Sequence, residues 1–284
     1  FMNAGSGSNQ SNHMYKLGPI HQGIFERGAK TTSDSYVLYP AKIGAFSLVM
    51  GRHVNNPDTS NLPFSYLIEQ QGVTYIIPGV NLKSVGTVRD VRKWPSRDRR
   101  KDPHRLDHIN FNHLSPFTVQ KMFEGIRILE MLKEASGNRA DNYYYKKSII
   151  RNASLHKGLK YYQTGIIKFL GNSFITRIQD ADVSSDEGLR QALLRDNPVG
   201  AGHWLDISGL ICPASEIEKL CDDLTEGKVR DIVELGSRFG QIASDYYSYE
   251  WTWAYDAIEK FWGYDLANIT RSQAIDLISQ WKNA

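Results

Sequence analysis

The sequence predicts a mixed β and α chain: the end of a parallel β-helix, then a short hairpin, then an all-α helical bundle. Three observations carry this. Val37, Ile43 and Val49 recur every six residues. Gln71-Gly72 separates two short apolar runs, Phe64 to Gln70 and Val73 to Pro78. Beyond Ser115, apolar residues fall at helical rather than alternating spacing.

A six-residue period has a definite physical meaning. Each hexad makes one short flat strand and a turn, three hexads close a triangular coil, and the aliphatic residue of each hexad faces the axis. Between the aliphatics lie small or polar residues suited to corners, among them Pro40, Gly44 and Ser47. The pattern persists more loosely back through Thr31 and Phe25, to a Gly/Ser/Asn-rich run over residues 4–12. An ordinary β-hairpin is the alternative. Period does not give handedness, and parallel crossovers are normally right-handed.

The segment Ser11-Asn12-His13-Met14-Tyr15-Lys16-Leu17-Gly18-Pro19 resembles the active-site coil of hexapeptide-repeat acyltransferases. The likeness is to the acetyltransferase domain of the bifunctional glucosamine-1-phosphate acetyltransferase and uridylyltransferase. There a Leu-Gly pair follows the histidine by four and five residues, as Leu17 and Gly18 follow His13; the tyrosine is displaced by one position. The resemblance implies a left-handed parallel β-helix, acyl transfer, and trimers with sites between subunits. The whole chain also resembles the C-terminal part of a large bacterial β-helix family of unknown function, often labelled transferase-like. A stump of coils stacks on neighbours and leaves a sheet end open. The chain opens mid-pattern at Phe1, so an upstream part of the same protein, or a partner chain, is expected to cover that end.

The expected organisation is 1–56 for the closing coils, 57–114 for the hairpin and a basic irregular linker, and 115–284 for the helical domain. Ser115-Pro116 supplies an N-cap and a proline at the first helical position. Val119, Met122, Phe123, Ile126, Leu129 and Leu132 follow, and Gly137 is the expected stop. A second helix is expected over Asp141 to His156 and a third over Leu159 to Ile175. Ser215-x-x-Glu218 reads as a capping box, a long helical pattern runs from Val229 to about Trp262 with a break near Gly236 or Gly240, and Thr270-x-x-Gln273 caps a last helix.

Composition bounds the function. The chain has 284 residues, 41% hydrophobic and 23% charged, with net charge +3. No apolar run approaches the roughly 20 residues of a membrane span, and nothing at the start reads as a secretory signal. Two cysteines make no disulfide framework. A soluble cytoplasmic protein is expected, with no membrane partner, and nucleic acid is an unlikely ligand at so small a charge.

His13 is the sharpest catalytic candidate. Acyl transfer needs a base to take a proton from the attacking amine or hydroxyl, and neutral imidazole suits that role; a polar surface residue is the plain alternative. Asn12, Tyr15 and Arg52, on the same coils, are candidate substrate contacts. His21 and His53 read as surface histidines. Over Arg89 to Arg105 eight Lys or Arg stand against three Asp. Guanidinium groups grip phosphate bidentately, so Arg97, Arg99, Arg100 and Lys101 are candidate contacts for a sugar nucleotide or a coenzyme phosphate. The alternative pairs them with Asp90, Asp98 and Asp102. The aromatic run from Tyr246 to Tyr264 reads as core or subunit contact before it reads as a stacking platform. No His/Cys/Asp spacing suggests a metal, and Gly200-Ala201-Gly202 is not a nucleotide fingerprint. The thiols of Cys212 and Cys221 lack any local activating pattern.

The expected function is therefore acyl transfer to a sugar or nucleotide-sugar. No covalently bound cofactor is expected, acyl-CoA would be the co-substrate, and the assembly would be a homo-oligomer, a trimer by analogy. Two rivals stand beside it: a non-catalytic scaffold for oligomerisation and partner docking, and a sensor domain for sugar nucleotides.

Overall fold

The computed structural model describes residues 2–11, 18–19, 21–102 and 107–284. The chain divides into two units, the first formed by Phe1–Asp98 and Lys121–Gly165, the second by Arg99–Gln120 and Ile166–Ala284.

The first unit holds a parallel-sheet region of short strands. These are β1 (Asn9–Ser11), β2 (Ile24–Phe25), β3 (Lys30–Thr31), β4 (Tyr36–Leu38), β5 (Lys42–Ile43), β6 (Leu48–Met50) and β7 (Arg52–His53). Their registers repeat. Ile24 pairs with Lys42, Lys30 with Leu48, and Leu48 with Tyr66, each eighteen residues on. Eighteen is three hexads, so residues three hexads apart lie side by side. Tyr36 pairs with Arg52 and Asn9 with Tyr36, so the spacing departs from eighteen on that face. Val37, Ile43 and Val49 share one buried cluster with Ala29, Ala41 and Leu67.

The corners repeat with the same period. Gly28, Phe46 and Phe64 all have positive φ and stand eighteen residues apart. A left-handed conformation costs a non-glycine residue about 1 kcal/mol; here the two phenylalanine rings recover part of it by stacking at 5.0 Å. Gly28 must stay small, because a Cβ there would sit 2.3 Å from the Phe46 ring. Gly44 is equally constrained, since its Cβ would meet the Thr59 carbonyl oxygen at 2.1 Å.

The predicted hairpin forms as β8 (Tyr66–Gln70) and β9 (Val73–Ile77), turning at Gln71-Gly72, both with positive φ. β8 continues the parallel ladder of β3 and β6. Of the helix expected over Asp141–His156, only residues 152–156 are helical; the rest is a second hairpin, β10 (Asn142–Tyr145) and β11 (Ser148–Arg151), with Ile149 pairing Tyr75 on β9. Tyr143, Tyr145, Ser148 and Ile150 are buried at every second position; the period there is two, not 3.6. One six-stranded sheet, ordered β10-β11-β9-β8-β6-β3, results. The linker expected to be irregular contains α1 (Val85–Arg97).

α2 (Pro116–Ser136) begins where the proline predicts and ends at Gly137, φ 80°. In the first unit, Lys121 Nζ bonds both Glu26 Oε1 (2.7 Å) and the Ser60 carbonyl (2.9 Å), while Glu26 Oε2 accepts the Ala45 N–H. α3 (Asn152–Ile178) is longer at both ends than the apolar spacing suggests. Its Tyr162, fully buried, donates to the Pro63 carbonyl at 2.8 Å.

The second unit contains α4 (Asp186–Ala192), a hairpin of β12 (Trp204–Ile207) and β13 (Leu210–Pro213), α5 (Ala214–Thr225), α6 (Ile232–Ser244), α7 (Tyr246–Trp262) and α8 (Arg271–Asn283). The all-α expectation is thus corrected by two hairpins, β10–β11 in the first unit and β12–β13 here. The box expected at Ser215 does not form: α5 starts directly from Pro213, with Ser215 and Glu218 inside it. The break expected at Gly236 or Gly240 falls at Asp245. The box at Thr270 and Gln273 does form. The two cysteines lie on different elements, Cys212 on β13 and Cys221 on α5. Among the described residues, no helix is long and apolar enough to cross a membrane.

Candidate functional site

A pocket of about 360 Å³ lies within the second unit, inside the size range of small-molecule sites. One wall is the segment from His108 to Asn112; the floor is Leu210 and Ile211 of β13 with Ala243 of α6; the far wall is Tyr246 and Tyr247 at the start of α7.

Each wall has a local cause. The Asn110 N–H donates to the Gly209 carbonyl at 3.0 Å, and Asn110 Oδ1 accepts the Asn112 N–H at 2.8 Å, which ties the segment to the β12–β13 turn. Gly209, φ 109°, leaves Ile109 room at that turn. The His108 ring lies against α6 at Gly240, where a Cβ would make ordinary van der Waals contact at 3.5 Å. The α6–α7 break at Asp245 puts two adjacent tyrosines at a helix start, their rings 5.1 Å apart and at 85°. Behind them Tyr246 packs edge-on against Trp204 at 5.7 Å. Trp204 is fully buried and held on three sides: its Nε1 donates to the Gly200 carbonyl, and Gln120 both accepts its N–H and donates to its carbonyl.

The electrostatics behind the far wall are unusual. Burial pushes the Glu250 carboxyl up to about 7, against the pull of the Tyr246 and Ser173 side chains. The Tyr246 hydroxyl, buried beside Glu250 and Asn112, is raised well above its ordinary value, chiefly by desolvation. Perturbed groups behind a pocket are what functional sites collect. On the floor side, burial pushes the Cys212 thiol up to about 12, with Asp206 and Glu216 adding to the shift. It is a packed thiol, not a nucleophile.

The residues singled out from the sequence lie elsewhere. Asn12, His13 and Tyr15 fall outside the described residues. Arg52 is exposed on β7, its guanidinium 5.4 Å from the Tyr36 ring centre. Arg97 ends α1 and belongs to the first unit, whereas Arg99, Arg100 and Lys101 belong to the second; all four are exposed. Arg100 pairs with Asp107 at 2.8 Å, and Arg89 and Lys30 both pair with Asp90. His53, expected at the surface, is buried, bonded to Thr74 Oγ1 at 2.8 Å and to the Met50 carbonyl at 3.1 Å. Desolvation lowers its pKa. His21 is exposed. The aromatic run is core, with Tyr246, Tyr249, Trp251, Trp253 and Tyr255 all buried. Among the described residues no cluster of His, Cys, Asp or Glu could hold a metal ion.

Sequence reasoning missed the pocket. Its walls come from stretches about a hundred residues apart, none with a motif, and the only local sign was Tyr246-Tyr247 heading the aromatic run.

Comparison with known proteins places two family matches on this frame. Residues 1–133 match a domain of unknown function, DUF4954, and residues 185–284 match a second, DUF6819. The pocket draws His108 to Asn112 from the first match and its remaining lining from the second. No curated protein and no solved structure matches the chain.

Proposed function

We propose that this chain works in a hexapeptide-repeat transferase of the left-handed β-helix type, acting on a sugar or nucleotide-sugar with acyl-CoA as donor. The observation that carries the reading is the register: strands eighteen residues apart pair in parallel, and one aliphatic per hexad enters a common core. Three hexads per circuit is the geometry such coils need. In the reaction, His13 takes the proton from an attacking sugar amine or hydroxyl as that group bonds to the thioester carbonyl carbon, and the thiolate of coenzyme A leaves. Arg97, Arg99, Arg100 and Lys101 would contact phosphate, with Asn12, Tyr15 and Arg52 touching the acceptor. The assembly would be a homotrimer.

The test measures thiol release from acetyl-coenzyme A with amino sugars and their nucleotide-linked forms. His13→Ala should slow turnover by a factor of about 10² or more, the usual worth of a general base. Turnover equal to that of the unaltered protein would remove the assignment.

A second reading, a non-catalytic scaffold, is favoured by one specific observation. The six-stranded sheet and the Lys121–Glu26 pair tie the repeat region to β9–β11 and α2 within one unit. A defined oligomer in sedimentation that shows no acyl-coenzyme A turnover, with or without His13, would select it.

A further inference from the structure

We propose that the pocket of the second unit is a binding site for an uncharged sugar ring, stacked on Tyr247 and hydrogen-bonded at its rim by His108, Asn110 and Asn112. This goes beyond the transferase reading, because it places a ligand in the helical unit and requires no chemistry there.

Charge speaks first. Among the described residues, the lining carries no Lys, Arg, Asp or Glu, so nothing there would grip a phosphate or a carboxylate. Its polar groups are two amides, an imidazole and two tyrosine hydroxyls, which can donate to and accept from the hydroxyls of a ligand. Shape speaks next. Tyr247 is 71% exposed although the aromatics that follow on α7, from Tyr249 to Tyr255, are buried. Its ring is therefore not committed to the core. The Tyr246 and Tyr247 rings stand at 85° and Tyr246 is buried, so of this pair only Tyr247 offers an open face and the two do not form parallel plates. A flat base is held best between parallel faces or by stacking in series. A sugar ring presents one C–H face to an aromatic and its hydroxyls sideways, which fits a single face with polar groups at the edge. Leu210, Ile211 and Ala243 offer an apolar floor for the remaining C–H groups. Finally, the rim is fixed before any ligand arrives: Asn110 is bonded to Gly209 and to Asn112, so little ordering is left to oppose binding.

The experiment is saturation-transfer NMR on the full chain, with the methyl glycosides of glucose, galactose, mannose and N-acetylglucosamine at millimolar concentration. At least one should receive saturation at its ring C–H protons. Tyr247→Ala should weaken that binding about tenfold, roughly 1.4 kcal/mol, while Tyr247→Phe, which keeps the ring, should bind as the unaltered protein does. Tyr247 is exposed, so both variants should melt where the parent melts, and the readout is affinity alone. Saturation of none of the four glycosides overturns the proposal. So does binding that Tyr247→Ala leaves intact, or adenosine competing more strongly than every glycoside. The outcome is independent of His13→Ala, so the two proposals can fail separately.

Discussion

The repeat region and the second unit bury their apolar side chains by different rules. In the first, small aliphatics share one cluster: Val37, Ile43 and Val49, six residues apart, are buried together with Ala29, Ala41 and Leu67, and Ile43 pairs in register with Phe25 eighteen residues before it. In the second, single large side chains are enclosed by unrelated partners: Trp204 is fixed by Gly200, Gln120 and Tyr246, which lie in three separate stretches of chain. A periodic core spreads its stability over many similar rungs. A core built on large aromatics concentrates it in a few.

The largest effect expected from that contrast is Trp204→Ala, a loss of about 4 kcal/mol. It can be followed by fluorescence in denaturant, because five of the six tryptophans (all but Trp94) lie in the second unit. A loss below about 1 kcal/mol would show that Trp204 is not the keystone drawn above. Ile43→Ala should cost about 3 kcal/mol, felt by the strands whose side chains share its cluster. Amide exchange should accelerate from Ile24 through His53; faster exchange at Ile43 alone would show that the strands do not share one cooperative core. Lys121→Ala leaves the largely buried Glu26 carboxylate without its ammonium and should cost about 2 kcal/mol, with Glu26→Gln in the same background restoring part of it.

Acid and base should also separate the two regions. His53 in the first unit has a lowered pKa, so its folded form resists the proton that the unfolded chain accepts near 6.5. Its contribution is present above that pH and is lost as the pH falls below it. Glu250 in the second unit is raised from 4.5 to about 7. Its contribution is complete below 4.5 and is lost as the pH rises through about 7, a change of about 2 kcal/mol after discounting for partial exposure. Glu250→Gln should remove the part of the fall in melting temperature that develops between about pH 4.5 and 7; an unaltered slope across that window would show that Glu250 does not cause it. The smallest effect is Thr270→Ala, about 1 kcal/mol for the lost cap, read as fraying of α8 in amide exchange.

Much of the first unit can be read from sequence because its rules are local and repeated. The six-residue period, the inward Val37, Ile43 and Val49, the turn at Gln71-Gly72 and the helix start at Pro116 all follow from spacing or from one residue's backbone preference. Where such signals compete, reading fails. The stretch from Asp141 carries apolar residues consistent with a helix, yet Tyr143 and Tyr145 are buried on one side of a strand, because β9 offers β11 an edge to pair with. Gly236 and Gly240 resemble helix breaks, but Gly240 sits inside α6 against His108.

By itself the sequence determined the elements whose information lies within a few residues: the hexads, the first hairpin, the Thr270 capping box and the aromatic density of α7. Tertiary structure alone decided that His53 is buried, that Phe46 and Phe64, both at positive φ, stack on one another, and that His108, Asn110 and Asn112 line one pocket with Leu210 and Tyr247. The physical reason is one of range. A period or a cap is enforced by neighbours along the chain, whereas burial and pocket walls are set by groups many turns away, whose positions exist only once the backbone has closed around them.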